Sequence, residues 1–77
     1  MFDYTISTEN SPKKFKNACN KIEHLFPDAK KNKILVDVDG STIQTYTKDE
    51  KDIDVFDDYE IGAVFVKSEL DLSDIFS

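Results

Sequence analysis

Ile34-Leu35-Val36-Asp37-Val38-Asp39-Gly40-Ser41-Thr42-Ile43-Gln44-Thr45 decides how this chain folds. Apolar residues alternate on either side of Asp39-Gly40. An Asp-Gly pair between alternating runs is a strong hairpin signal, because a type I′ turn needs positive φ at both central residues. A two-residue turn there sets Val38 against Ser41, Val36 against Ile43 and Ile34 against Thr45. Ile34, Val36, Val38 and Ile43 then share one face, and Leu35, Asp37, Thr42, Gln44 and Tyr46 share the other.

Upstream, Ser11-Pro12 has the form of a helix start, with serine as N-cap and proline in the first turn. Phe15, Ala18, Cys19, Ile22, Leu25 and Phe26 then recur at helical spacing. The helix runs over about 12–26 and stops at Pro27. Before it, Phe2, Tyr4 and Ile6 alternate with Asp3, Thr5 and Ser7, the period of a strand with one wet face.

Downstream lies an acidic stretch, residues 48–60, in which seven of thirteen residues are Asp or Glu. Ile53, Val55, Phe56 and Tyr59 interrupt the acids, so the segment reads as an ordered excursion: a long loop, a helical turn or an irregular edge strand. Ile61 to Lys67 is apolar on both sides and reads as a well-covered strand. Leu70, Leu72, Ile75 and Phe76 anchor a tail, either a short docking helix or an extended segment.

The reading is a single domain over residues 1–77, in the α+β class. One main helix packs on a mostly antiparallel sheet of 3–4 strands, in the order strand, helix, strand, strand, acidic excursion, strand, tail. A trimmed ferredoxin-like arrangement is the first expectation, with the acidic excursion where a second helix would stand. A helix with a three-strand meander and a terminal helix is the second.

Composition bounds function. A chain of 77 residues leaves little wall for a deep cleft. Cys19 is its one cysteine and His24 its one histidine, so neither a disulfide nor a zinc site can be drawn. A lone thiol and no apolar run of membrane length indicate a soluble protein of a reducing cytoplasm, and no cofactor or metal is expected. Net charge is −6. Residues 1–33 carry seven lysines and four acids, whereas residues 34–77 carry three lysines and twelve acids. Arginine, the usual reader of phosphate and base, is absent, which argues against direct nucleic-acid binding.

Residues 34–42 resemble the first motif of the haloacid-dehalogenase-type phosphatases, an apolar strand followed by Asp-x-Asp-Gly-Thr. The resemblance implies Asp37 as nucleophile and Asp39 as general acid/base. It covers nine residues, with Ser41 inserted before Thr42, and the chain is too short for the family's doubly wound domain and later motifs. The same residues overlay the first ligand positions of an EF-hand loop at Asp37, Asp39 and Ser41. Thr42 then falls where glycine is required and Lys48 where the bidentate Glu belongs. A hairpin turn accounts for all of them.

The acidic stretch carries the functional expectation. Asp49, Glu50, Asp52, Asp54, Phe56, Asp57, Asp58, Tyr59 and Glu60 are read as a partner-binding surface. In an extended segment, alternate acids lie about 6–7 Å apart on one face, comparable to successive phosphates. A non-enzymatic protein that offers this surface to a basic protein is the leading reading. Its sharpest form is a phage-type nucleic-acid mimic that blocks a nuclease, restriction or CRISPR system. An immunity protein or antitoxin against a basic toxin is one alternative. An adaptor that dimerises through a sheet face carrying Leu35 and Tyr46 is another.

Overall fold

In a computed structural model, which describes residues 1–76, one helix packs on one face of an antiparallel sheet. The chain runs β1 (Phe2–Ser7), α1 (Pro12–Leu25), β2 (Lys30–Lys31), β3 (Leu35–Val36), β4 (Thr42–Lys48), β5 (Lys51–Asp58) and β6 (Ala63–Ser68). The sheet order is β1-β6-β5-β4-β2, with β3 also paired to β4. The strands β4, β5 and β6 form a meander. Helix α1 carries the chain from one sheet edge to the other.

Local chemistry explains the helix. The Ser11 hydroxyl accepts the Lys14 amide at 3.2 Å, and Pro12 occupies the first turn. Phe15, Ala18, Cys19 and Ile22 form its buried stripe. They meet Tyr46, Ile53, Val55, Val64 and Val66 from the sheet, with Leu72 and Phe76 closing the end. The tail docks through a single turn, in which the amides of Ile75 and Phe76 donate to the Leu72 carbonyl. Residues 69–76 contain no helix.

The acidic stretch departs from its expectation. Lys51–Asp58 is a regular strand flanked on both sides, in the middle of the sheet. Ile53, Val55 and Asp57 point under the helix, while Asp54, Phe56 and Asp58 do not. Asp52, Asp54 and Asp58 therefore line the outer side of a strand whose inner side is core, with Asp57 the one acid turned inward. This added strand, and the splitting of residues 30–36 into two short pieces, raise the count from the expected 3–4 strands to six. No second helix stands in the acidic segment, so the ferredoxin-like expectation is replaced by a meander with β1 added at the β6 edge.

The hairpin also differs, by one residue. Leu35 pairs with Ile43 and Val36 with Thr42. The loop holds three residues, Val38-Asp39-Gly40. Gly40 donates to the Asp37 carbonyl at 3.0 Å, and the Asp37 amide donates to the Ser41 carbonyl at 2.8 Å. Gly40 takes φ +91°. This is the three-residue alternative, a turn followed by a left-handed glycine. Two carboxylates hold it: Asp37 accepts the Val38 amide at 2.7 Å, and Asp39 accepts the Ser41 amide at 2.9 Å. A one-residue slip exchanges faces. Gln44 and Tyr46 are buried at 3% and 1% exposure, so Tyr46 belongs to the core and not to an open sheet face.

The β4–β5 connection is a two-residue turn at Asp49-Glu50, with Lys48 paired to Lys51. Both turn residues have positive φ, 52° and 65°. A left-handed conformation costs an L-residue about 1–2 kcal/mol. Glycine avoids that and gives back about 0.5–1 kcal/mol in backbone entropy. Glu50→Gly is therefore expected to stabilise the fold by about 0.5–1 kcal/mol, read as a higher midpoint in urea unfolding with an unchanged slope.

Candidate functional site

The two faces of the sheet differ in kind. Helix α1 covers one. The register aligns the side chains of the other into rows. Leu35, Ile43, Phe56 and Phe65 lie side by side across four strands, and Thr5 ends the row. Phe56 and Phe65 stack with ring centroids 4.6 Å apart and planes 12° apart. The adjoining row is Thr45, Asp54, Lys67 and Asp3. Beyond it, Asp52 faces Thr47, whose hydroxyl donates to the Asp52 carboxylate at 3.2 Å. Glu69 closes this corner by accepting the Asp52 amide at 2.9 Å.

Leu35 is 58% exposed, and Ile43, Phe56 and Phe65 are half-buried by their neighbours in the sheet, with no chain element laid over them. The face is thus an apolar stripe with carboxylates along one flank. Lys67 lies over the Phe65 ring, 6.0 Å from its centroid. Among the described residues, lysine ion pairs use Glu23, Asp28 and Asp49. Asp3, Asp52 and Asp54 form no such pair, although Lys67 stands between Asp54 and Asp3 in the register and offsets part of their charge.

The nine residues of the expected partner surface divide among four places. Asp52, Asp54 and Phe56 lie together on the open face. Asp49 and Glu50 sit in the turn at one end of β5. At the other end, Asp58 spends its carboxylate on the amides of Glu60 and Ile61, at 2.9 and 3.0 Å. Tyr59 packs there against Gly40, leaving 3.1 Å between its ring and a Cβ at that position, and Glu60 is exposed beside it. Asp57 alone is withdrawn: it is 3% exposed, under the helix side, and accepts the Asn10 side chain at 2.8 Å. Alternation along β5 turns it inward, so it offers no charge to a partner.

Several residues of the face escaped the sequence reading. A two-residue turn puts Ile43 on the side opposite Leu35, whereas the register sets the two side by side. Phe65 lies in a run that is apolar on both sides, so nothing local marks which of its residues face outward. Asp3 joins the face only through the pairing of β1 with β6, which nothing local announces.

The motifs around Asp37 and Asp39 resolve into turn chemistry. Neither flank is a helix, as an EF-hand requires. The Ser41 amide holds the Asp39 carboxyl below the usual carboxylate range. Among the described residues, no three His, Cys, Asp or Glu side chains gather closely enough to hold a metal ion. Cys19 is buried, and that burial pushes its thiol pKa up. No helix among the described residues is long and apolar enough to cross a membrane.

Under the helix, the Tyr46 hydroxyl donates to Glu23 at 2.5 Å, and Lys31 approaches the same carboxylate at 3.2 Å. The Tyr46 bond, with Lys31 adding to it, holds Glu23 below the ordinary glutamate range. Burial, then the bond to Glu23, pushes Tyr46 up. A depressed carboxyl contributes stability above its unfolded pKa of about 4.3 and loses it as pH falls through the lower folded value. Tyr46→Phe is expected to cost about 1.5 kcal/mol at pH 7, the low end for a bond to a charged acceptor, because the Glu23 side chain is 41% exposed. The difference between native and variant should shrink below about pH 4. Urea unfolding of both proteins at pH 3, 5 and 7 checks it.

Compared with known proteins, the chain matches no protein-family model, no curated protein and no solved structure.

Proposed function

We propose that the chain is a small non-enzymatic binding protein whose open sheet face receives a basic protein in a cytoplasm. The single observation that supports this is the uncovered row Leu35–Ile43–Phe56–Phe65, flanked by Asp52, Asp54 and Asp3 with Lys67 the one cation among them. Stacked aromatic rings offer large area at low entropic cost, the usual content of an interface centre. Carboxylates at the border steer a cationic partner toward it. Asp49, Glu50 and Glu60, exposed at the two ends of β5, extend the acidic field.

The partner class this suits is a nucleic-acid enzyme or a toxin, whose own site is basic. Mimicry of nucleic acid is the sharpest form, with Asp52 and Asp54 standing about 6–7 Å apart on one face in the place of successive phosphates. A cognate toxin is the alternative partner of the same surface. Self-association through this face has the apolar row in its favour, but a two-fold pair brings like carboxylates together.

The experiment is capture of the partner from host lysate at low and high salt, beside a control with Asp52→Asn and Asp54→Asn. Asp57 and Asp58 stay unchanged in the control, since both serve the fold. A basic nucleic-acid enzyme or toxin held by the native chain, lost in high salt and by the control, and displaced by DNA supports mimicry. The same loss without competition by DNA favours the toxin. Identical partners for native and control at both salts would remove the acidic face from the account.

A further inference from the structure

The sheet has two edges, and they are built differently. The β2/β3 edge is broken at residues 32–34 and carries Lys30, Lys31 and Lys33. Interruption and lysine are the common protections of an edge against added strands. The β1 edge lacks both. Phe2–Ser7 is six residues long, holds one charged residue, Asp3, and pairs with β6 alone. Its one irregularity is a register shift near Ser7.

A groove runs along this free edge. Asp3–Ile6 form one wall and the α1 residues Lys14 to Lys21 the other, with Ile75 and Phe76 at its end. Ala18 gives the wall an apolar centre, and Lys14 and Lys21 stand on either side of it. These three residues recur at i, i+4 and i+7 of α1, so the lysines lie about 10 Å apart along the helix axis. Residues i and i+4 of an extended peptide are about 13 Å apart on one face, a difference that two lysine side chains span.

We infer that the β1 edge is a second binding site, one that takes an extended acidic peptide as an added strand. Backbone groups of the peptide pair with β1. Its inward side chains follow the pattern acid-x-apolar-x-acid, with the apolar residue over Ala18 and the acids beside Lys14 and Lys21. Charge selects this occupant over a second copy. Two β1 edges joined by a two-fold axis bring each lysine wall toward the other, whereas an acidic strand meets both lysines with opposite sign. The site borders the open face at Asp3 and Thr5, but its lysine wall is on α1, and it stands whether or not that face binds a basic protein.

The test is NMR titration of the labelled full chain with the acetylated, amidated peptide Thr-Glu-Thr-Val-Thr-Glu-Thr. Its counterpart with lysine at both glutamates is titrated in parallel. The expected result is shift changes confined to residues 2–7 and 14–21, with slowed amide exchange in β1. The lysine peptide should bind about five- to tenfold more weakly. Lys14→Glu with Lys21→Glu should reverse the preference while leaving the signals of Phe56 and Phe65 unmoved. Any one of four results overturns the inference: no shifts at millimolar peptide, shifts at Ile43, Phe56 and Phe65, equal binding of both peptides, or an unaltered preference in the double variant. Concentration-dependent shifts of β1 in the free chain would assign the edge to a second copy and overturn it too.

Discussion

Ile53→Ala is expected to lower the unfolding free energy by about 2–5 kcal/mol, the range for truncating a buried isoleucine. Ile53 has no exposed surface and sits in the central strand, between Tyr46 and Ser68 in the register and among the core residues that face the helix. Neighbours held by strand pairing on both sides cannot collapse far into the vacancy. In a domain of this size each kcal/mol moves the thermal midpoint by about 4–8 °C, so a fall of at least about 8 °C follows. Asp52→Ala, one residue away, reaches solvent and should change stability by no more than about 0.5 kcal/mol. Calorimetry of the two variants checks both figures. Equal, small effects at the two positions would mean that residues 51–58 are no central strand and that the open face, which depends on β5, is drawn wrongly.

The second large effect concerns binding. Reversing two flank charges, Asp52→Lys with Asp54→Lys, is expected to weaken capture of the basic partner about a hundredfold or more at low salt. Each reversal replaces an attraction with a repulsion, and one decade per position is about 1.4 kcal/mol, modest for charges at a contact with an oppositely charged protein. Most of the loss should appear in the association rate and should narrow as salt is raised, because border charges act mainly by steering. Phe56→Ala should behave differently, with faster dissociation and little salt dependence, since an aromatic anchor acts through buried area. Surface plasmon resonance at two ionic strengths separates the cases. A double reversal that leaves affinity intact would assign the acids to solubility. Both variants should unfold cooperatively, because neither site lies under the helix.

The parts of the fold that sequence made legible were those in which one local signal sufficed. Ser11-Pro12 and the spacing of Phe15 to Ile22 located α1 closely, and the alternation of residues 2–7 located β1. Two signals misled. Asp39-Gly40 reads as a two-residue turn, yet the side chains of Asp37 and Asp39 close a three-residue loop instead, and one residue of slip sent Tyr46 inward. Charge density masked β5, because its alternation counts acids on the outer side and Ile53 and Val55 on the inner. The open face was legible in its β5 portion, Asp52, Asp54 and Phe56, and at Leu35. Its remaining members come from strands distant in sequence, and only pairing across the sheet assembles them.

The place of β1 has a bearing on the order of events during synthesis. Its only strand partner among the described residues is β6, residues 63–68, and the Tyr4 hydroxyl accepts the Leu72 amide at 2.7 Å and donates to Asp71. Helix α1 packs against β1 soon after it is made, but every strand pairing of β1 and both bonds of the Tyr4 hydroxyl wait for residues more than fifty positions later. The meander of β4, β5 and β6 needs only short closures and can assemble on its own sequence. Strand β1 must wait for β6, with a loop-closure entropy that the neighbouring hairpins escape. At about 5–20 residues per second the interval lasts several seconds, during which Phe2, Tyr4 and Ile6 have no sheet to join. The strand that leaves an edge open in the finished protein is thus also the one that spends longest unpaired in the nascent chain.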